Sequence, residues 1–304
     1  ANLLEQGRGV TKDEAEAFKL YRQAADAGDA IAMVALGDMY AGGRGTEKNE
    51  AEAFKWTSKA ADAKEPSALR ALGLMYIDGR GTAKDAKKGA ELLKRAAEAG
   101  DPVAAKDVGM MYLRGDGVEK DPAEALKWMT KAADAGDPAA MSNLGVMYLS
   151  GQGVAKDEAK ALALFRKAAD AGNAGAMANL GVMYKNGRGV AKDLYEAFEW
   201  YRKAAEGKDT LAMNNLGLMY QNGQGTKRDY AAALRWFKAG ADAGDSAAMN
   251  NLGIMYELGQ GVPRDLAEAA KWFKAAAEAG EPTAQKNLDR LNQKQPPRRP
   301  IRQP

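Results

Sequence analysis

Five asparagines, Asn143, Asn179, Asn215, Asn251 and Asn287, recur at intervals of 36 residues, each directly before a Leu-Gly or Leu-Asp pair. A carboxamide offers one acceptor and two donors, enough to match the C=O and N–H of a passing peptide together. A ladder of such groups suits an extended polypeptide whose backbone is gripped without its side chains being read. Asparagine is an indifferent helix former, so five copies at one slot ask for a reason. The other reading is structural: a mid-helix amide that bonds a neighbouring helix, a loop or its own backbone. Helical spacing places Leu211, Leu218 and Asn222 on the same stripe as Asn215, and Asn214 and Asn250 stand beside the ladder. These residues form the candidate peptide-binding set.

Other chemistries find little footing. The sequence has no histidine and no cysteine, which removes histidine-dependent acid–base and triad chemistry, thiolate metal sites and disulfides. Carboxylate pairs such as Asp265 and Glu268 recur from unit to unit as helix caps and surface charge do. No catalytic residue, metal ligand or cofactor site is assigned. The eight Gly-x-Gly pairs, from Gly7/Gly9 to Gly259/Gly261, each follow a helical pattern, whereas a phosphate-binding loop follows a strand. The formal charge of +3 is concentrated in a tail that holds Lys294, Arg298, Arg299 and Arg302. The rest of the chain is near neutral and lacks the electrostatic basis for a nucleic-acid partner. No apolar run reaches the roughly 18 residues of a membrane span.

The elements that must position these groups are read from one unit, Asp245 to Gly280. Asp245 is a good N-cap, and Pro66, Pro102, Pro138 and Pro282 take the first helical position in other units. Ala248, Met249, Leu252, Met255 and Tyr256 recur at three- and four-residue steps, one buried face of a first helix. Gly253 interrupts it at a cost of about 1 kcal/mol relative to alanine, an expense that close packing of a neighbour would offset. Gly259 suits a left-handed cap and Gly261 a second unusual backbone angle before Asp265 starts the next helix. In that second helix Ala269, Ala270, Trp272, Phe273, Ala276 and Ala277 turn inward, and the Trp slot recurs at Trp56, Trp128, Trp200 and Trp236 as packing. The pattern predicts an all-α chain without strands. Paired helices are expected at 14–26, 29–41, 50–62 and 65–77 and onward at the same period, ending near 281–293.

The motif A-x-x-x-L-G-x-M-Y, then G-x-G-V-x-x-D, then E-A-x-x-W-F/Y-x-K-A-A-x-A-G resembles the Sel-one-like repeat family, relatives of tetratricopeptide solenoids, across roughly residues 1–293. The resemblance implies a right-handed superhelical solenoid of antiparallel helix pairs with the first helices on the concave side, where the asparagine ladder then falls. It implies a scaffold or adaptor that binds a partner protein or extended peptide, bacterial, and periplasmic or secreted, with a cytoplasmic location as the alternative. Some cysteine-rich relatives are credited with lactam binding or hydrolysis, but their paired cysteines are missing here. A structural spacer in a larger complex is the other alternative. Adjacent helix pairs about 10 Å apart would match the roughly 9.3 Å advance of one polyproline-type turn.

The whole of 1–293 is expected to form one solenoid domain, opening on half a helix at 1–6; this opening points to upstream residues removed by processing or cloning. Lys64 and Lys208 stand where Gly28, Gly100, Gly136, Gly172, Gly244 and Gly280 stand elsewhere, so those turns either change geometry or hold a strained lysine. Asp289 and Asn292 replace the Gly and Tyr of the buried face, making 281–293 a polar capping helix. The tail at 294–304 is Pro/Arg-rich and expected to be disordered and polyproline-prone. It carries a P-x-x-P-x-R spacing and could self-associate by docking in a second copy's groove, its arginines meeting Asp78, Asp107 or Glu257.

Overall fold

The computed structural model describes residues 1–294, and the expectations placed on the tail beyond them lie outside the described residues. The chain separates into two compact units, Ala1–Lys156 and Asp157–Pro304. The first contains α1 (Asn2–Gln6), α2 (Glu14–Asp26), α3 (Ala30–Gly42), α4 (Glu50–Asp62), α5 (Pro66–Asp78), α6 (Ala86–Glu98), α7 (Pro102–Arg114), α8 (Pro122–Asp134) and α9 (Pro138–Ser150). The second contains α10 (Glu158–Asp170), α11 (Ala174–Asn186), α12 (Leu194–Glu206), α13 (Thr210–Asn222), α14 (Tyr230–Asp242), α15 (Ser246–Leu258), α16 (Leu266–Glu278) and α17 (Ala284–Lys294). No strand occurs among the described residues. Odd-numbered helices are the first of each pair and even-numbered ones the second. Within each unit every helix packs on the next, as a solenoid requires.

Caps set the boundaries. Asp245 Oδ1 accepts from Ala248 N–H at 2.6 Å, and Asp209 from Ala212 at 2.8 Å. First helices end on glycines in the left-handed region, Gly223 at φ 67° and Gly259 at φ 69°. The loop then closes when the cap of the next helix donates its N–H to the tyrosine carbonyl of the helix just ended: Asp229 to Tyr220 at 2.9 Å and Asp265 to Tyr256 at 3.0 Å. Pro66, Pro102 and Pro138 open their helices as expected. Pro282 does not. It lies in a turn, Glu281 replaces the capping Asp and accepts from the Thr283 hydroxyl at 2.9 Å, and α17 begins only at Ala284.

The core is built from alanines, the leucine (valine in α7) and methionine of the first helices α3 to α15, and large residues of the second helices. In the second unit Tyr201, Phe237 and Phe273 are fully buried, and each lies against the glycine of its first helix. A Cβ on Gly181, Gly217 or Gly253 would stand 2.6–2.7 Å from the rings of Tyr201, Phe237 and Phe273 respectively. Close packing therefore compensates the mid-helix glycine. The tryptophan slot is shallower than the sequence suggested: Trp56 is buried, whereas Trp128, Trp200, Trp236 and Trp272 are half-buried, because the position after each points deepest. Lys59 and Lys203 lie over the Trp56 and Trp200 rings at 4.2 and 4.4 Å. Lys64 and Lys208 adopt φ 61° and 66°, so both turns keep the left-handed conformation of the glycine-bearing ones.

Candidate interaction face on the first helices

The ladder asparagines sit mid-helix on α9, α11, α13 and α15 and in the first turn of α17, half-buried. In the second unit successive first helices α11, α13 and α15 touch one another directly, which lets side chains on neighbouring repeats meet. Asn251 Nδ2 donates to Asn214 Oδ1 at 2.8 Å, and Asn287 Nδ2 donates to Asn250 Oδ1 at 2.9 Å. The donor is thus a ladder residue, and the acceptor is the residue preceding the ladder slot one repeat earlier. Where that earlier position is Ala178, no acceptor exists, and Asn215 Nδ2 turns back to Leu211 O at 2.9 Å. Lys185 Nζ then approaches Asn215 Oδ1 at 3.5 Å. In the first unit Asn143 Nδ2 meets only the soft acceptor Met110 Sδ at 3.7 Å. Asn179 finds no side-chain hydrogen-bond partner among the described residues of its own unit.

Each paired amide spends one of its four hydrogen-bonding valences on the pair. Asn251 Oδ1 and Asn287 Oδ1 take no protein donor among the described residues. Asn214 and Asn250 are 9% and 7% exposed, and their Nδ2 atoms have no protein acceptor among the described residues. The pairs therefore present one acceptor and one donor each, the valences a peptide unit requires. Leu211 is 49% exposed beside Asn215. Leu218 instead packs against the core that contains Phe237 and Leu252, and Asn222 is exposed at the last turn of α13.

The sequence did not show how other polar groups pair between repeats. Gln221 Nε2 donates to Gln260 Oε1 at 2.9 Å across one repeat. Arg290 of α17 grips Glu257 of α15 through both guanidinium nitrogens at 2.6 Å, which holds the arginine's pKa above its usual value. Glu257 is only 5% exposed, so this carboxylate already has a partner and does not wait for the tail. Asp107 is likewise engaged, by Lys106 at 3.1 Å. The signal for the asparagine pairs was present as a spacing of 37 rather than 36, one residue off the period. No group of three or more potential metal ligands occurs among the described residues, and no described helix is long and apolar enough to cross a membrane.

The repeats can be assigned on these features together with eight consecutive matches to the Sel1 repeat, at residues 1–29, 30–64, 66–101, 102–137, 138–173, 174–209, 210–245 and 246–281. The chain belongs to the Sel1 repeat family. A Sel1 repeat protein from Oxalobacter formigenes is 34% identical and superposes with a TM-score of 0.76 over 91% of this chain and 80% of its own. The protective antigen c5321 of uropathogenic Escherichia coli, which displays the same fold, is 28% identical, with a TM-score of 0.57 over 97% of this chain and 79% of its own. Yeast Tom70, at 14% identity and a TM-score of 0.53 over 91% of this chain and 58% of its own, shares the fold alone. No curated protein matches the sequence. Sel1 repeat proteins generally act in protein–protein interaction, on a scaffold fold that is not catalytic.

Proposed function

We propose that this Sel1 repeat protein is a non-catalytic interaction scaffold whose first helices in residues 157–294 receive an extended segment of a partner protein. The reading rests chiefly on the paired amides: Asn214 with Asn251 and Asn250 with Asn287 are each held by one hydrogen bond and still offer one donor and one acceptor. Such groups are fixed before the ligand arrives, so little side-chain entropy is lost on binding. They grip the backbone of the partner, and Leu211 supplies apolar contact beside them. Peptides selected from a random display library on the wild-type protein supply the probe. Asn214→Ala with Asn250→Ala is expected to weaken selected peptides of unrelated sequence by similar factors, since backbone recognition is shared among them. Unchanged affinities would make the amides a stitch between helices and favour the spacer reading.

A further inference from the structure

One column of the first helices changes character at its two ends. Counted at the 36-residue period it reads Asp38, Leu74, Met110 and Val146 in the first unit, and Val182, Leu218, Ile254 and Arg290 in the second. An apolar run is thus closed by an acid at one end and a base at the other. The base is answered: Glu257, 33 residues before Arg290, takes both of its guanidinium nitrogens at 2.6 Å. Asp38 stands in the same relation to Glu5, also 33 residues earlier. There an acid faces an acid, and the cation that the last repeat supplies has no counterpart.

The charges around Asp38 are already engaged. Glu5 is bound by Arg44 and accepts from the Tyr21 hydroxyl at 3.1 Å. Arg70 pairs with Asp101 at 3.0 Å and Arg80 with Asp78 at 3.4 Å. Asp38 itself, exposed on α3, has no hydrogen bond or ion pair among the described residues. Lost hydration among its neighbours raises its pKa; Arg44 lowers it, Glu5 raises it, and Arg70 and Arg80 lower it. Three arginines face four carboxylates, so one negative charge is left over. Beyond it Leu74 and Met110 are half-buried and Val146 is 41% exposed, an apolar stripe with its acid at one end. Lys106 beside the stripe is paired with Asp107 at 3.1 Å. On α3, α5, α7 and α9 the one other charge without an ion pair is Arg114, which lies in the last turn of α7, where the helix carbonyls favour a cation. Asp38 lies mid-helix without such compensation.

We propose that the first-helix face of the first unit docks a partner-protein segment that carries an arginine followed by apolar side chains spaced one repeat apart. The guanidinium meets Asp38, as Arg290 meets Glu257 within this chain, and the apolar side chains lie over Leu74, Met110 and Val146. Arginine suits the place better than lysine, because a guanidinium is more weakly hydrated and pairs with a carboxylate through two parallel bonds. The single unpaired acid sets which end of the segment sits on α3, since charge complementarity fixes register more than it adds affinity. The site lies wholly within the first unit and shares no residue with the amide face of the second.

The test uses the full chain and the probe acetyl-Arg-Pro-Pro-Leu-Pro-Pro-Leu-Pro-Pro-Leu, carrying a neutral dye at its C-terminus and followed by fluorescence anisotropy. A polyproline-type backbone sets every third side chain on one side about 9.3 Å apart, close to the helix-packing distance of about 10 Å. Saturable binding is expected, and Asp38→Asn should weaken it about fivefold, the scale of one partly solvated ion pair. Asp38→Asn removes a charge that has no partner, so Tm should not fall. Replacing the probe's arginine by neutral citrulline should cost as much on the wild type and nothing further on Asp38→Asn. Val146→Asp should weaken both probes alike. Asn214→Ala with Asn250→Ala should weaken neither, which separates this site from the amide face. Absence of saturable binding, equal affinity of wild type and Asp38→Asn, independent losses from the two changes, or binding that disappears with the second-unit amides overturns the proposal.

Discussion

A side-chain amide on these helices is decided by what stands one repeat earlier. Asn251 and Asn287 find Asn214 and Asn250, and Asn215, facing Ala178, bonds its own backbone. A single net hydrogen bond of this kind is worth about 1 kcal/mol. Asn251→Ala is thus expected to lower unfolding free energy by about that amount, and a double-mutant cycle with Asn214→Ala should return a coupling of roughly 0.5–1.5 kcal/mol in urea titrations. Asn215→Ala, by contrast, should cost little, because its back-bond to Leu211 gives a helix no gain. Asp209 offers a residue-scale test by pH. Burial raises its pKa, the capping bond to Ala212 N–H lowers it, and the charge of Asp245 raises it again. A carboxyl with a raised folded pKa gives stability that is present below its unfolded value of about 3.9 and is lost as pH climbs through the folded value. Asparagine caps equally well, as Asn173 does for Ala176 at 2.8 Å. Asp209→Asn should therefore match the wild type in acid and gain on it between pH 4 and neutrality, a trend visible in Tm measured against pH.

At the scale of the element, the helices were legible because caps and glycines are local signals. The second helices fall where the pattern placed them, and the first helices before α17 begin one residue later because the capping residue itself is not helical. Helix α17 departs further and begins only at Ala284, after a turn at Pro282 and Thr283; Glu281 alone does not explain this, because α5 opens at Pro66 behind Glu65. A left-handed cap and an unusual backbone angle, the roles the sequence assigns to the loop glycines, are only half of what they do. A Cβ on Gly225 would stand 2.0 Å from the carbonyl oxygen of Leu194, the first residue of α12, and Gly81 stands in the same relation to Glu50 at 2.1 Å. From Gly45 onward, the second glycine of each loop is where one repeat rests on the backbone of the one before, a contact between segments far apart in sequence that no local pattern displays. Gly244, at φ 90°, has open space around the same virtual atom. Gly244→Ala should accordingly cost only the left-handed penalty of about 1–2 kcal/mol. Gly225→Ala should add an overpacking term of about 1–3 kcal/mol, and the difference between the two variants measures the stacking contact by itself. Lys208, already at φ 66°, supplies the reverse case: Lys208→Gly should raise stability by up to about 1 kcal/mol.

For the molecule as a whole, the strict period fixed which residues are equivalent, and equivalence is what makes the exceptions readable. Pro282 means little alone; it becomes informative because Pro66, Pro102 and Pro138 open their helices and it does not. The partner chemistry of the first-helix face was less legible, because a ladder of asparagines looks the same whether its amides face a ligand or one another, and only the lateral register between repeats separates the two. That register also governs how damage spreads. In a repeat array each unit touches its neighbours and little else, so local openings are graded along the chain rather than shared by all of it. Leu216 is fully buried on α13 among Phe198, Tyr201 and Met219. Truncating it to alanine falls in the range of about 2–5 kcal/mol for a buried leucine. Amide hydrogen exchange of Leu216→Ala should show the largest loss of protection in α12, α13 and α14, falling off through α15 and α16 toward α17. A uniform loss across the whole second unit would instead mean that its repeats open as one cooperative block, and the nearest-neighbour account would have to give way to that.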